Sequence, residues 1–320
     1  MDPVSPWSLE LIRALQSLGS WLAAPMHFAS ALGAEEFYLL ALPFVFWCIS
    51  RDLGIDLVAL VLASGGLNWF VKGLFKLPRP FWVDSRLGLS TEPTFGFPSG
   101  HSQNAVALFG YLAAVLRSPW RWLSVLLIFL ISVSRLYLGV HSPLDILGGW
   151  LIGLIVLGGF IWLKPRLGPV MGRWSLRKHV LAALIVSAIM LVLYLLAGAI
   201  ANGQPVVYGA LFATAHVQIY ESAGTEVGVI LGAWIGLAVE ARFVRFSPSG
   251  SLGQRALRLV IGVLVVVGLR FGLKAIFPTE PVALSMAFRV VRYAVIMAWV
   301  ALIWPWLFVR LGLAQREAVR

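Results

Sequence analysis

Charge is scarce in this 320-residue chain: Asp, Glu, Lys and Arg together make up 12% of it, while 60% of residues are hydrophobic. Soluble domains carry roughly 25% charged residues, so a water-soluble globule is excluded. Cysteine is scarcer still. The single Cys48 lies in an apolar run, cannot form an intrachain disulfide, and leaves the redox compartment unread. Carboxylates number 14 and are scattered, with no cluster that would hold a metal ion, so neither metal nor other cofactor is expected. The opening MDPVSPWSLELIRALQ has no basic lead-in and carries two prolines and two acids before residue 11. It does not read as a cleavable signal peptide.

What is there suits a bilayer. Fourteen Trp fit two membrane–water interfaces, and the 31 Gly and 17 Pro fall within apolar runs, where membrane helices tolerate them. Net charge is +11, but Lys and Arg are spread between the apolar runs, so nucleic acid is not an expected partner. A crossing needs roughly 20 mostly apolar residues. Runs near 36–50, 54–75, 100–116, 120–140, 144–163, 179–201, 220–241, 256–278 and 288–311 qualify, and Pro43 predicts a kink in the first. The stretch 7–31, amphipathic at Glu10 and Arg13, either crosses or lies in the interface. The basic, breaker-rich run 164–179 is the best boundary. The expected fold is all-α, a polytopic transmembrane helical bundle of about 9–10 spans.

Alternate connectors fix the orientation. Arg51, Arg117, Arg121, Lys164, Arg166, Arg173, Arg177, Lys178, Arg242, Arg245, Arg255, Arg258, Arg310, Arg316 and Arg320 all fall on one side if every span crosses. By the positive-inside rule that side is the cytoplasm, and segments 76–98, 202–219 and 279–287 face away from it. The expected location is a plasma or inner membrane.

Three polar clusters interrupt the apolar pattern: Lys72 to Pro80, Pro98 to His101, and Ser134-Arg135 followed by His141 and Asp145. Ionisable groups at membrane depth are costly and are functional candidates by default. From Ser99, eighteen residues of helix cover about 27 Å to the cytoplasmic Arg117, and the next span returns Arg135 and His141 to the level of His101. All three clusters therefore meet at the end of the bundle away from the cytoplasm.

Phosphoryl transfer needs fixed positive charge and N–H donors around three equatorial oxygens. Lys72, Arg79 and Arg135 supply the charge. Ser99 precedes a helix whose first N–H groups, at Gly100 and His101, can point at phosphate, and Gly100 lets the backbone come close. His141 would attack phosphorus, Asp145 would hold its other ring N–H, and His101 would protonate the leaving oxygen. Asp145 in Ser142-Pro143-Leu144-Asp145 also suits capping alone, as does Ser99.

The pattern Lys72-x6-Arg79-Pro80, Pro98-Ser99-Gly100-His101 and Ser134-Arg135-x5-His141-x3-Asp145 closely resembles the three motifs of the type 2 phosphatidic acid phosphatase superfamily, which includes vanadium-dependent haloperoxidases. The resemblance covers roughly residues 36–165, and the layout is similar to that of sphingoid-base-phosphate phosphatases. It implies a six-helix phosphatase core in residues 1–165, additional transmembrane helices in 166–320, and the same residue roles. The expected activity is metal-independent hydrolysis of a lipid phosphate monoester at the extracytoplasmic face through a phosphohistidine. Rivals are an undecaprenyl diphosphate phosphatase, a lipid phosphotransferase, and a phosphate-binding transporter or scaffold. A haloperoxidase gains nothing from this many spans.

Outside the motifs, Lys76 and Arg86 read as surface charges, and His27, His179 and His216 as structural or interfacial. Thr94–Phe97 lies where an entrance would be. Gly224, Gly228, Gly232 and Gly236 form a ridge that another helix can approach closely. Its partner is either the next span, at Gly262 and Gly268, or the same helix in a homodimer. Besides a lipid phosphate substrate, the remaining partners are membrane lipids.

Overall fold

A computed structural model describes residues 4–200 and 205–317, with the backbone alone at 205–207. Arg320 and the start of the expected connector 202–219 lie outside the described residues. Among those residues the chain is helical, with one isolated bridge, Phe246 to Arg316. The helices are α1 (Pro6–Gln16), α2 (Ala23–Ala31), α3 (Glu35–Phe44), α4 (Arg51–Phe75), α5 (Pro80–Val83), α6 (Gly100–Val115) and α7 (Trp120–Tyr137). They continue with α8 (Pro143–Gly172), α9 (Leu176–Ala199), α10 (Pro205–Val239), α11 (Leu252–Ile276), α12 (Val282–Ala298) and α13 (Trp304–Arg310). Seven described helices are long and apolar enough to cross a membrane, and the pair Ser20–Ala31 and Glu35–Ile49, bent by 51°, makes an eighth if taken as one span. α6, with 16 residues, is shorter than a full crossing.

Several boundaries differ from the sequence expectation. The region 7–31 is not one span, because α1 and α2 are 11 and 9 residues long. α1 instead packs at the motif end: Arg13 pairs with Asp84, and Gln16 Nε2 donates to Leu87 O and Tyr137 O. The boundary at 164–179 shrinks to a break after Gly172, since α8 runs on through Pro165 and Pro169. Each proline removes one N–H, a loss that exposed helix ends bear. The connector 202–219 is largely helix, with Pro205 opening α10 and a kink at Gly209. Its apolar stretch from Leu211 continues the span. Pro43 sits inside α3, followed by a π-helical turn at Val45–Ile49.

The chain forms two compact units that interleave along the sequence. One contains residues 1–38, 63–162 and 194–219; the other contains 39–62, 163–193 and 220–320. In the first, α6 packs on α7 and α7 on α2. α8 meets α6 through Gly149 and Gly153, where a Cβ would press on Ser99 O at 2.6 Å and Gln103 O at 2.7 Å.

In the second unit, Arg258 is fully buried and donates to the carbonyls of Trp47, Pro248, Ser249 and Leu313. Arg51 pairs with the buried Glu240 at 2.6 Å. The glycine ridge is filled by α12 and the π-turn after it. A Cβ at Gly224 or Gly228 would lie 2.5 Å from Met286 O or Val290 O, one at Gly232 would meet Ala294 O, and one at Gly236 would lie 2.9 Å from Ala301 Cβ. The expected partner α11 is not the one: Gly262 packs on Trp304 and Trp47, and Gly268 has nothing within 4 Å. Because the chain's own α12 covers the ridge, a homodimer through Gly224–Gly236 would first have to displace that helix.

Candidate active site

The motif residues come from four stretches of the first unit. α4 brings Lys72 in its last turn. The chain then leaves the helix through Lys76 and Arg79, and the loop before α6 returns over them: Gly96 N–H donates to Leu77 O at 2.8 Å. Lys72 Nζ donates to Phe95 O and to Gly96 O, at 2.5 and 3.3 Å. Arg79 Nε donates to Thr94 O at 2.6 Å and Nη2 to Thr94 Oγ1 at 2.5 Å. Residues 94–97 are therefore the strap that fixes both cations.

Ser99 caps α6, its Oγ accepting from Ser102 N–H at 3.4 Å, so the N–H groups of Gly100 and His101 open the helix with no preceding turn to bond to. A Cβ on Gly100 would meet Asn68 Oδ1 at 3.1 Å. Beneath them, Asn68 donates to Gln103 Oε1 at 2.8 Å, Gln103 to Ser64 O at 2.6 Å, and Ser64 Oγ to Asn104 Oδ1 at 2.6 Å. This buried polar network ties α4 to the start of α6.

α7 ends in a turn that only a left-handed residue closes. Gly139 has φ +70°, a Cβ there would run into Leu87 O, and the N–H groups of Val140 and His141 both reach Arg135 O at 3.3 Å. Ser142 and Asp145 then cap α8 reciprocally, Ser142 N–H donating to Asp145 Oδ2 at 2.7 Å and Asp145 N–H to Ser142 Oγ at 3.2 Å. The same Oδ2 lies 3.3 Å from His141 Nδ1, so capping and holding the imidazole are one arrangement. Asp145 O accepts from Ser99 N–H at 2.9 Å, which joins the second and third motifs.

The first and third motifs meet directly. Arg79 Nη1 lies 3.0 Å from His141 Nε2 and 2.9 Å from Val140 O. With Nδ1–H given to Asp145, Nε2 carries the lone pair and accepts from Arg79. Arg135 is 2% exposed; it donates to Ser30 Oγ and pairs with Glu92, while its Nε has no partner among the described residues. A buried donor left open next to two other cations is what an incoming phosphate oxygen would complete. His101 stands within electrostatic reach of Arg135, Glu92, Arg79 and Lys72.

Among the ionisable groups of the connectors, His141 and Glu92 are shifted by burial and by the cations around them. His141 is held well below the usual 6.5, first by burial and then by Arg79, Arg135 and Lys72. For Glu92, burial would raise the carboxyl, but Arg79 and Arg135 prevail and hold it at about 2.

All eight sequence-predicted residues thus converge. Lys76 does not fit its surface assignment. It is 2% exposed, with φ +49°, and its Nζ donates to Gly198 O at 2.9 Å and to Ile200 O, capping the C-terminal carbonyls of α9. Arg86 is exposed and bound to Asp84. His216 reaches Gly198 O at 2.8 Å and His179 accepts from Trp234 at 3.3 Å. Sequence reasoning missed Glu92, Ser30, Asn68 and Gln103. Asn68 and Gln103, polar residues within apolar runs, were the readable signal; a lone acid in a polar loop gives none.

Residues 53–169 match the PAP2 superfamily, and residues 224–316 match the transmembrane extension of PAP2 superfamily phosphatases. A dihydrosphingosine 1-phosphate phosphatase of Schizosaccharomyces pombe is 30% identical over 176 residues, covering 50% of this chain and 43% of that protein. Sphingosine-1-phosphate phosphatase 2 of Mus musculus is 33% identical over 41% of this chain and 39% of its own length. An undecaprenyl-diphosphatase of Sulfolobus acidocaldarius is 37% identical over 32% of this chain and 52% of its own. The matched region thus spans about two fifths to a half of these relatives. With its three motifs gathered at one site and both regions matched in order, the chain belongs to the PAP2 superfamily, with a PAP2 region followed by that superfamily's transmembrane extension.

Proposed function

We propose that the chain is a metal-independent membrane phosphatase that hydrolyses a lipid phosphate monoester at the extracytoplasmic face through a phosphohistidine on His141. The observation that carries this is the orientation of His141: Nδ1 on Asp145 Oδ2 and Nε2 toward Arg79 Nη1. Binding alone requires no such tautomer control. A nucleophile does.

In the proposed cycle, substrate phosphate enters beside Arg79, Arg135 and Lys72, takes over the Arg79 contact to Nε2, and fills the open Nε of Arg135. The Nε2 lone pair forms the N–P bond as the P–O ester bond breaks. His101 gives its proton to the departing alkoxide. Water then attacks phosphorus, His101 takes the water's proton, and the N–P bond breaks to release inorganic phosphate and neutral His141. The three cations and the α6 N–H groups stabilise the equatorial oxygens throughout. Asp145 stabilises the ring as it gains positive charge.

The relatives named for sphingoid-base phosphates support a lipid phosphate monoester as substrate, and the Sulfolobus diphosphatase makes an isoprenyl diphosphate the second candidate. Phosphate release from detergent-solubilised protein over sphingosine 1-phosphate, phosphatidate and undecaprenyl diphosphate tests the proposal. Turnover of a monoester in EDTA is expected. Activity that disappears in EDTA and returns with magnesium, or release from none of the three, would overturn it.

A further inference from the structure

The transmembrane extension carries a second cluster of cationic side chains. Where α11 ends and α12 begins, a small open cleft is lined by Lys274, Phe277, Ser285, Phe288, Arg289 and Arg292. Arg289 is already paired, Nη2 donating to Glu221 Oε2 at 2.6 Å. Arg292 is not. It is 8% exposed, its Nε is buried without a hydrogen-bond partner among the described residues, and its guanidinium lies over the Tyr293 ring at 5.1 Å.

The position makes this costly. Arg292 stands ten residues into α12, about 15 Å along the helix, where a guanidinium with open donors is expensive unless it meets an anion or reaches polar surroundings. Its long stem lets the head rise toward the cleft, where Lys274 and Arg289 add two more positive charges. With Glu221 set against Arg289, the lining keeps an excess of positive charge. Its other walls are Phe277 and Phe288, packed at 4.7 Å between ring centroids. Cations at the base and aromatic walls at helix ends suit a phosphate group carried on an apolar anchor.

We propose that this cleft binds the phosphate of an anionic phosphodiester lipid headgroup, with Arg292 completing its open donors on the phosphate oxygens and Lys274 at the rim. The site lies wholly within the extension and uses none of the motif residues. It is independent of the hydrolytic mechanism.

The test is thermal unfolding of the purified full chain in detergent, titrated with phosphatidylglycerol, phosphatidylcholine or inorganic phosphate. Phosphatidylglycerol should raise Tm by on the order of 5 °C at hundredfold excess over its Kd, and phosphatidylcholine should not. Inorganic phosphate matching the lipid's effect would assign the site to free phosphate and overturn the lipid assignment. The lipid response should vanish in Arg292→Gln and fall in Lys274→Gln, while persisting in the motif variant Arg135→Gln. Lys274 is exposed, so its variant folds even where Arg292→Gln does not. An undiminished response in Lys274→Gln and Arg292→Gln, or an equal response to phosphatidylcholine, would overturn the proposal.

Discussion

Arg79 donates to Thr94, Val140 and His141, so one side chain joins the first motif, the strap and the third motif. His141→Ala should therefore abolish turnover and phosphoprotein trapping while the protein still inserts, and a variant that retains activity would refute a phosphohistidine. The pH dependence follows from the cations. His141 sits below 6.5 in the folded protein, so it is neutral and nucleophilic at pH 7 and protonates only further down. The acid limb of kcat/KM should have its midpoint below 6.5, where an unperturbed histidine would place it. A midpoint at or above 6.5 in the free enzyme would show that the cations do not govern this ring.

Glu92 shows what residue types alone leave hidden. Its carboxyl falls from 4.5 to about 2 on folding, so its stabilising effect is complete above the unfolded value and is lost as pH falls through the folded one. Wild type should melt above Glu92→Gln at pH 7, with the gap narrowing as pH drops from 4.5 towards 2; a gap that widens instead would reverse the assigned charge state. The eight motif residues were readable because type and order carry them. Glu92, Ser30 and Thr94 are recognised only by what they touch.

At the scale of elements, the apolar pattern located most spans, and it missed where helices continue. α8 passes through two prolines and α10 begins at Pro205, because helix breakers act on single hydrogen bonds while a span is held by its whole length. The glycine ridge was visible as a four-residue spacing, but its partner was not: spacing describes one face and says nothing of which helix meets it. The carbonyls of Met286, Val290 and Ala294 repeat with the same spacing along α12, so the contact is ridge against ridge over about two turns. Gly228→Leu and Gly232→Leu should each cost about 1–3 kcal/mol by overpacking, read as a lower Tm in detergent. Turnover per folded molecule should be unchanged. Wild-type melting in both would mean that α12 does not press on this face.

The proposed orientation rests on charge, and α8 offers a ruler for it. Its 30 residues cover about 45 Å, more than the ~30 Å hydrocarbon core, so if α8 crosses, its two ends should lie on opposite sides of the bilayer. Asp145 and the motifs belong to its first turn, whereas Lys164, Arg166 and Arg173 gather at its other end. Positive charge is retained on the cytoplasmic side, so the motif end should face out. A cysteine placed at Leu89, 43% exposed in the loop after Asp84, should react with an impermeant thiol reagent in intact cells. One placed at the exposed Arg173 should react only after permeabilisation. The native Cys48 is buried and 2% exposed, so it contributes little background. The outward assignment implies that substrate is drawn from the outer leaflet and that phosphate is released outside. The opposite labelling pattern would place the site in the cytoplasm, and would show that the basic residues of the connectors do not set the topology of this chain.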